Sequence, residues 1–180
     1  MELRVLLSQI ESLKKEIDEL RPLSSELERR IMQKFRLDWN YHSNHIEGNS
    51  LTFGETKTFL LHGLTSKGKP FKDHLDIKGH NEALLMLDEI IKEERPITEN
   101  FIRGLHEIIL KENYKSKSQT PDGQVVWREI KVGQYKTQPN HVKTQTGEMY
   151  YFATPEETPA KMHDLLNWYR EISQNEEIHP

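Results

Sequence analysis

Two small groups of side chains in this sequence could offer metal ligands. His42 and His45 are three residues apart on a predicted helix, and Asp73, His74 and Asp76 cluster near the predicted start of another. A closed zinc site usually needs four ligands with supporting contacts behind them, and the sequence has no Cys. We therefore expect no metal site in this chain.

Ser43, Glu47 and Gly48 lie at the predicted end of a helix. By its position alone, Glu47 is a solvated glutamate at a helix end. The Ser43 hydroxyl lies one turn earlier, so it could hydrogen-bond Glu47 or its own helix backbone. Gly48 tolerates the left-handed conformation that ends helices, so we expect it to serve the backbone.

The composition limits the class of protein. The 180 residues are 34% hydrophobic and 30% charged, which suits one domain, or one domain with a helical extension, around a thin core. No apolar run approaches the roughly 18 residues of a membrane span, and no signal peptide is recognisable. The net charge of -4, with Lys and Arg spread along the chain, argues against a nucleic-acid-binding face. The absence of Cys fits a reducing compartment, so we expect a cytoplasmic protein.

The first twenty residues carry an a/d heptad pattern. Its apolar positions recur every seven residues, with charged residues between them: Leu3, Ile10 and Ile17, and Leu6, Leu13 and Leu20. Pro22 interrupts the pattern, and a second helix is predicted from Ser24 or Ser25. Two such helices could pair within the chain or form the seam of a homodimer. Because three heptads are short for an independent coiled coil, we favour the hairpin within the chain.

The remaining pattern predicts four more helices and one β-hairpin, hence a mainly α fold. Thr52 with Glu55 has capping-box spacing, a long helix is predicted over 72–94, and Thr98 is a good N-cap. The tract 115–123 is polar with a Pro-Asp-Gly turn, whereas 125–152 has β-like alternation with a turn at 145–148. Thr154 and Pro155 predict the start of the last helix. We expect the tryptophans to pack between elements: Trp39, Trp127 and Trp168.

Three stretches, in this order, resemble one family. The segment 41–52, Tyr-His-Ser-Asn-His-Ile-Glu-Gly-Asn-Ser-Leu-Thr, is similar to the inhibitory segment of Fic proteins. The stretch 63–83, with Gly-Lys-Pro, Asp-His and His-Asn-Glu-Ala, resembles the next stretch of the chain in that family. Gly133-Gln134-Tyr135-Lys136-Thr137 is similar to the entry into the family's β-hairpin, called the flap. The resemblance implies a helical Fic-like domain with a flap, preceded by a helical extension.

The resemblance implies a protein adenylyltransferase, which transfers AMP from ATP, with Mg²⁺, to a hydroxyl of a target protein. The family's catalytic loop, His-Pro-Phe-x-Asp/Glu-Gly-Asn-Gly-Arg-x-x-Arg, does not occur in the 180 residues. His179-Pro180 resembles the His-Pro that precedes the helix before that loop, so we expect His179 to lie upstream of the catalytic histidine. The chain is then the N-terminal portion of a longer protein, or a natural remnant without chemistry. Whether it is itself an enzyme stays open, and we expect neither ATP nor Mg²⁺ to bind it productively.

The resemblance also divides the chain and assigns its site residues. Residues 1–22 form the heptad helix, 23–52 the helix with the inhibitory motif, and 53–180 the first part of a Fic domain with its flap at about 125–153. The inhibitory residues are Ser43, Glu47 and Gly48, with Glu47 pairing with the second arginine of the absent loop. The residues expected to bind the target protein through the flap are Tyr135, Lys136 and Thr137. The alternative is a non-catalytic module that binds protein, or that regulates a separate catalytic chain.

Overall fold

The computed structural model describes residues 3–174, which form six helices and four strands. In chain order these are α1 (Leu3–Glu19), α2 (Ser25–Ile46), α3 (Phe53–His62), α4 (Phe71–Lys92), α5 (Glu99–Leu110), β1 (Tyr114–Gln119), β2 (Val125–Ile130), β3 (His141–Lys143), β4 (Met149–Tyr151) and α6 (Thr158–Ser173). The mainly α fold class is confirmed. The predicted position of His179 lies outside the described residues.

Helix α4 is the centre of the fold, as its broad apolar surface predicts. It packs against α2, α3 and α5, and α6 packs against α5. The buried apolar residues come from α2, α4, α5, α6 and the α2–α3 turn: Leu37, Leu51, Ile77, Ala83, Ile90, Phe101 and Leu166. This core is small for the length of the chain, as the low hydrophobic content predicts.

Helices α4 and α5 cross at unusually close range at Gly79. A Cβ at this position would lie 2.4 Å from the Ile109 carbonyl oxygen and 2.6 Å from that of Ile108. Both atoms belong to the backbone of α5, so neither can move aside as a flexible side chain would. Glycine is therefore required for the two helices to approach this closely.

Most helix starts follow the sequence signals. Ser24 accepts a hydrogen bond from the Leu27 N–H, Thr52 forms a complete capping box with Glu55, and Thr98 accepts from the Phe101 N–H. The last helix is the exception, because it begins at Thr158 instead of at Pro155. Thr154 and Glu157 nevertheless exchange the two hydrogen bonds of a capping box, at 2.8 and 3.2 Å, and the Thr158 N–H donates to the Thr154 carbonyl oxygen at 3.0 Å. The predicted Thr154 cap is therefore present, but Pro159 has no N–H to bond the Pro155 carbonyl, so the continuous helix starts one turn later.

The β region holds two hairpins where the sequence predicts one. Strand β1 pairs antiparallel with β2, and β3 pairs antiparallel with β4. The sequence predicts only a turn in the polar tract 115–123, yet most of this tract is β1, followed by the turn into β2. Its Lys and Ser side chains give little strand preference, and the strand is formed by backbone pairing with β2. The predicted turn near residue 146 is present and joins β3 to β4.

The expected hairpin between the first two helices is wrong. Within residues 3–174, α1 contacts no other helix or strand, and none of its residues is buried. The tryptophan prediction is also wrong, because Trp39, Trp127 and Trp168 are each more than half exposed. Their apolar rings lie on faces that no described element covers. No helix within the described range is long and apolar enough to cross a membrane.

Candidate functional site

Helix α2 ends in a tightly hydrogen-bonded turn at Glu47-Gly48-Asn49. The Gly48 N–H donates to the His45 carbonyl oxygen at 3.0 Å, and the Asn49 N–H donates to the Asn44 carbonyl oxygen at 3.0 Å. This pair of bonds is a Schellman motif, and Gly48 has the left-handed backbone that the motif requires, with a φ of 90°. The backbone role predicted for Gly48 agrees with this geometry.

The turn is fastened to the first turn of α4 by Asp73. Oδ2 of Asp73 accepts two hydrogen bonds from Ser50, one from its N–H at 2.8 Å and one from its hydroxyl at 2.5 Å. The Asn49 side chain, which is 8% exposed, donates to the Asp73 carbonyl oxygen at 2.9 Å and accepts from the Leu51 N–H. Burial alone would raise the pKa of the Asp73 carboxyl, but the hydrogen bonds from Ser50 lower it below its ordinary value.

Lys69 ties the loop before α4 to the same turn. Its Nζ donates to the Ser50 carbonyl oxygen at 2.5 Å and lies 3.7 Å from Glu55 Oε2. Glu55 in turn accepts from the Thr52 N–H and hydroxyl, both at 2.8 Å, and the bond from the N–H does most to lower the pKa of this carboxyl. The segment after Glu47 is therefore held by charged hydrogen bonds on both sides.

Upstream of the turn, α2 packs on α4 through asparagines. Asn40 is completely buried. Its side-chain amide is assigned the orientation in which the oxygen faces a hydrogen-bond donor and the nitrogen faces an acceptor of the α4 backbone. In that orientation it accepts from the Asn81 N–H at 3.1 Å and donates to the Ile77 carbonyl oxygen at 3.3 Å. Asn44 donates to the Asn40 carbonyl oxygen at 2.9 Å. Such satisfied polar contacts fix the rotation of α2, because a small shift would leave buried amides without partners.

Glu47 itself is the C-cap of α2 and is exposed. Within residues 3–174, its carboxylate has neither an ion-pair partner nor a hydrogen-bond partner. Ser43 is half-buried, and its hydroxyl bonds neither Glu47 nor the helix backbone, so neither alternative predicted for it is observed. The two side chains belong to one helix end but do not touch through a hydrogen bond. The result is a free carboxylate on a rigid turn.

The flap entry is anchored on α5. Arg103 Nε donates to the Gly133 carbonyl oxygen at 2.6 Å, and the Gly133 N–H donates to His106 Nδ1 at 2.9 Å. The Tyr135 hydroxyl donates to Glu99 at 2.9 Å, and the Arg103 guanidinium lies 5.4 Å from the centre of the Tyr135 ring. Tyr135, expected at the target-binding surface, is half-buried against α5 and serves to hold the flap. Burial, followed by Glu99, raises the pKa of Tyr135.

The rest of the flap is only partly covered. Thr137 is exposed, whereas Lys136 is half-buried and its ammonium donates to the Asn140 side chain. Among residues 3–174, β3 and β4 have no third strand beside them, so both outer edges are open. The Thr144 N–H donates to the Glu148 carbonyl oxygen, and the Phe152 N–H donates to the Asn140 carbonyl oxygen. Hydrogen-bonded and non-hydrogen-bonded residue pairs alternate along an antiparallel hairpin, so these two bonds show which residues pair by hydrogen bonds. By that alternation, the backbone groups of His141 and Lys143 point outward from β3.

Sequence reasoning missed the residues that position this site. Asn49, Lys69 and Asp73 lie in stretches that resemble the family, but the only role considered for any of them was that of Asp73 as a metal ligand. Glu99 and Arg103 were given no role. Asp73 and Glu99 carried one available signal, since each is an acidic residue in the first turn of a predicted helix. Their partners are more than 20 residues away along the chain, and only the fold brings them together.

The described residues do not fit the phosphate and metal groups that AMP transfer needs. No group of three or more His, Asp or Glu side chains within residues 3–174 could hold a metal ion. The Gly-Asn-Gly-Arg cradle for phosphates is absent from the sequence. No step of phosphate chemistry can therefore be assigned to these residues.

The site and fold define a mainly helical domain with a two-stranded flap and a rigid turn that presents a glutamate. No protein-family model matches the chain. It is 27% identical over 135 residues to protein adenylyltransferase fic-1 of Caenorhabditis briggsae, covering 73% of this chain and 26% of that protein. It is 30% identical over 109 residues to the Caenorhabditis elegans protein of the same name, which covers 59% of this chain and 21% of that protein.

A solved structure is similar over almost the whole chain. It is a Fic domain containing signaling protein from Bacteroides thetaiotaomicron, with a TM-score of 0.80 and 42% identity, over 95% of this chain and 59% of that one. The chain belongs to the Fic family. It spans about a quarter of the length of the curated relatives.

Proposed function

We propose that this chain is the N-terminal, regulatory part of a Fic protein that transfers AMP from ATP to a hydroxyl of a target protein in the cytoplasm. Glu47 is the inhibitory residue in this proposal. The observation that carries it is the free Glu47 carboxylate at the C-cap of α2, on a turn fastened to α4 through Asn49, Ser50 and Asp73. The similarity to the two protein adenylyltransferases supports the reaction class.

A fixed carboxylate is suited to act as a brake. A guanidinium binds carboxylate and phosphate with the same fork of donors, so a glutamate can occupy an arginine that ATP needs. Because the turn is already ordered, little conformational freedom is lost when the ion pair forms. Glu47 can thus compete with a phosphate of ATP for an arginine of a catalytic loop that lies outside this sequence.

In this proposal, the flap binds the target protein. An open strand edge can align a peptide by main-chain hydrogen bonds, with little demand on the peptide's sequence. The outward groups of His141 and Lys143 offer such an edge, and Lys136 and Thr137 lie at its entry. The anchoring of Gly133 and Tyr135 on α5 keeps this edge at a fixed distance from the helical core.

A chimera tests the role of Glu47. This chain replaces the matching part of the Bacteroides thetaiotaomicron protein, and transfer of label from α-labelled ATP to protein is measured. We expect Glu47→Gln to raise labelling by roughly tenfold or more, because a charged hydrogen bond is worth about 1.5 to 3 kcal/mol. Glu26→Gln makes the same charge change in the first turn of α2 and is expected to leave labelling unchanged.

Each other outcome of this experiment is decisive. Equal labelling of the chimera and its Glu47→Gln variant would mean that Glu47 does not inhibit AMP transfer. An absence of labelling in all three proteins contradicts the adenylyltransferase assignment. The 180-residue chain alone is expected to transfer no label, since it lacks the catalytic loop, and robust labelling by it would overturn the regulatory assignment.

A second candidate is a non-catalytic module that binds protein or restrains a separate catalytic chain. The observation in its favour is that α1 and the outer edges of the flap contact no other described element. A catalytic-loop sequence encoded directly downstream supports the first function, and a stop codon supports the second. In the second case, the chain added in trans should inhibit a separate Fic enzyme through Glu47.

A further inference from the structure

The segment that leads into the flap and forms β3 is basic, although the chain as a whole is acidic. It contains Lys131, Lys136, His141 and Lys143, and the sequence has no Asp or Glu between residues 131 and 147. The whole chain carries a net charge of -4. A local excess of positive charge on an otherwise acidic protein attracts negatively charged partners.

Two of these side chains lie beside the open edge of β3. The backbone groups of His141 and Lys143 point outward from the strand, and the two side chains share one face of the hairpin because they are two residues apart. Lys143 is exposed, and within residues 3–174 its ammonium has neither an ion-pair partner nor a hydrogen-bond partner. Met149 pairs with Lys143, so the side chain of the preceding Glu148 lies on the opposite face. The positive charge beside this edge is therefore not neutralised within the hairpin.

The outer edge of β4 has a different character. Met149 and Tyr151 pair with Lys143 and His141, so their backbone groups point outward from β4. Both side chains are uncharged at neutral pH. This edge offers the same main-chain hydrogen bonds without a positive charge, so an acidic strand is directed to β3.

We propose, on the basis of the function proposed for the flap, that the target segment is an extended strand with acidic side chains two positions apart, added to β3 opposite His141 and Lys143. Main-chain hydrogen bonds to these two residues hold the strand. Residues opposite each other in neighbouring strands present their side chains on the same face, so the acidic side chains lie beside Lys143 and His141. An exposed ion pair of this kind changes affinity by roughly two- to fivefold, which is enough to set a preference among targets.

Peptide binding to the 180-residue chain tests this preference separately from AMP transfer. Two blocked seven-residue peptides alternate threonine with either glutamate or lysine, and the backbone amide shifts of β3 and β4 are followed up to several millimolar peptide. We expect the glutamate peptide to have the lower Kd, with an advantage that shrinks in 1 M salt, where the screening length is about 3 Å. Equal binding of both peptides, tighter binding of the lysine peptide, or no binding overturns the proposal. None of these results changes the role of Glu47, which is measured by labelling.

A charge reversal identifies the lysine responsible. Lys143→Glu is expected to reverse the order of the two peptides, because it places a negative charge beside the edge. Lys117→Glu makes the same change at an exposed lysine of β1 and should retain the preference for the glutamate peptide. An unchanged preference in Lys143→Glu contradicts the assignment.

Two proline variants and a simple anion identify the mode of binding. His141→Pro removes an outward N–H of β3 and is expected to abolish binding of the glutamate peptide, whereas Tyr151→Pro blocks the β4 edge and should retain it. The amide signals of Val142 and Tyr150, which pair between the strands, show whether the hairpin is intact. Binding that is lost only in Tyr151→Pro overturns the assignment to β3. Inorganic triphosphate that shifts the same amides as the peptide would mean that the edge attracts any anion, and would overturn the addition of a strand.

Discussion

Asp73 and Ser50 are joined by two hydrogen bonds to a single carboxylate oxygen, although they are 23 residues apart in sequence. The Ser50 N–H and hydroxyl both donate to Asp73 Oδ2. This contact links the segment after Glu47 to the first turn of the central helix α4. The position of the proposed inhibitory carboxylate thus depends on an acidic residue of another element.

Asp73→Asn should destabilise the chain at neutral pH by about 1 kcal/mol, because charged hydrogen bonds are replaced by weaker neutral ones. The folded pKa of Asp73 lies below its ordinary value of 3.8, so its stabilisation is present above that value and is lost as pH falls through the folded pKa. The difference between wild type and variant in urea unfolding should therefore shrink in acid. Asp76→Asn removes an i,i+4 pair with Lys72, whose side chain is 78% exposed, and should cost less because such surface pairs contribute little. An equal cost for both variants contradicts a special role for Asp73.

Gly48→Ala should cost about 1 kcal/mol, because its φ of 90° strains any residue with a Cβ. A Cβ at this position would meet no atom within 4 Å, so the cost is confined to the backbone. Gly48→Asn should cost less, since asparagine tolerates this region better. Gly54→Ala, at a helical glycine of α3 with open space around it, should not destabilise the chain. Urea unfolding measures all three, and a neutral Gly48→Ala would contradict the Schellman ending of α2.

Gly79→Ala should destabilise the chain by about 1 to 3 kcal/mol through overpacking of α4 against α5. The added methyl meets backbone carbonyls at 2.4 and 2.6 Å, which can be relieved only by separating the helices. Gly104→Ala is the matched control, because a Cβ there meets nothing within 4 Å and alanine favours the helix by about 1 kcal/mol. The melting temperature should fall for Gly79→Ala and rise for Gly104→Ala. Shifts of the same sign for both variants would contradict the close crossing of α4 and α5.

Tyr135→Phe should loosen the flap entry by removing the hydrogen bond to Glu99. Burial and Glu99 raise the pKa of Tyr135 above 10.0, so its contribution to stability is complete below that value and is lost as pH rises through the folded pKa. Ultraviolet titration of the 6 tyrosines should show one late group that is missing in the variant. Amide exchange of β3 and β4 should accelerate in Tyr135→Phe, and the matched Tyr150→Phe should leave it unchanged.

Several local features were predictable because their causes are local. Caps at Ser24, Thr52 and Thr98 bond backbone groups three residues away, and Gly48 ends α2 through its own backbone freedom. The heptad stripe of α1 is likewise a property of spacing alone. The family was predicted from the segment around Glu47 and the flap entry, since short motifs carry that signal in sequence.

Other features depend on which elements meet. The strand β1 is formed by pairing with β2, so its polar side chains gave no signal of it. The sequence could not show that α1 stands apart from α2, because an apolar stripe predicts burial without naming the surface that covers it. The anchoring of the Glu47 turn by Asp73, and of the flap by Glu99 and Arg103, joins residues more than 20 positions apart. Periodicity and capping determined the helices of this protein, whereas only the packing of those helices decided where Glu47 is held and which surfaces stay open.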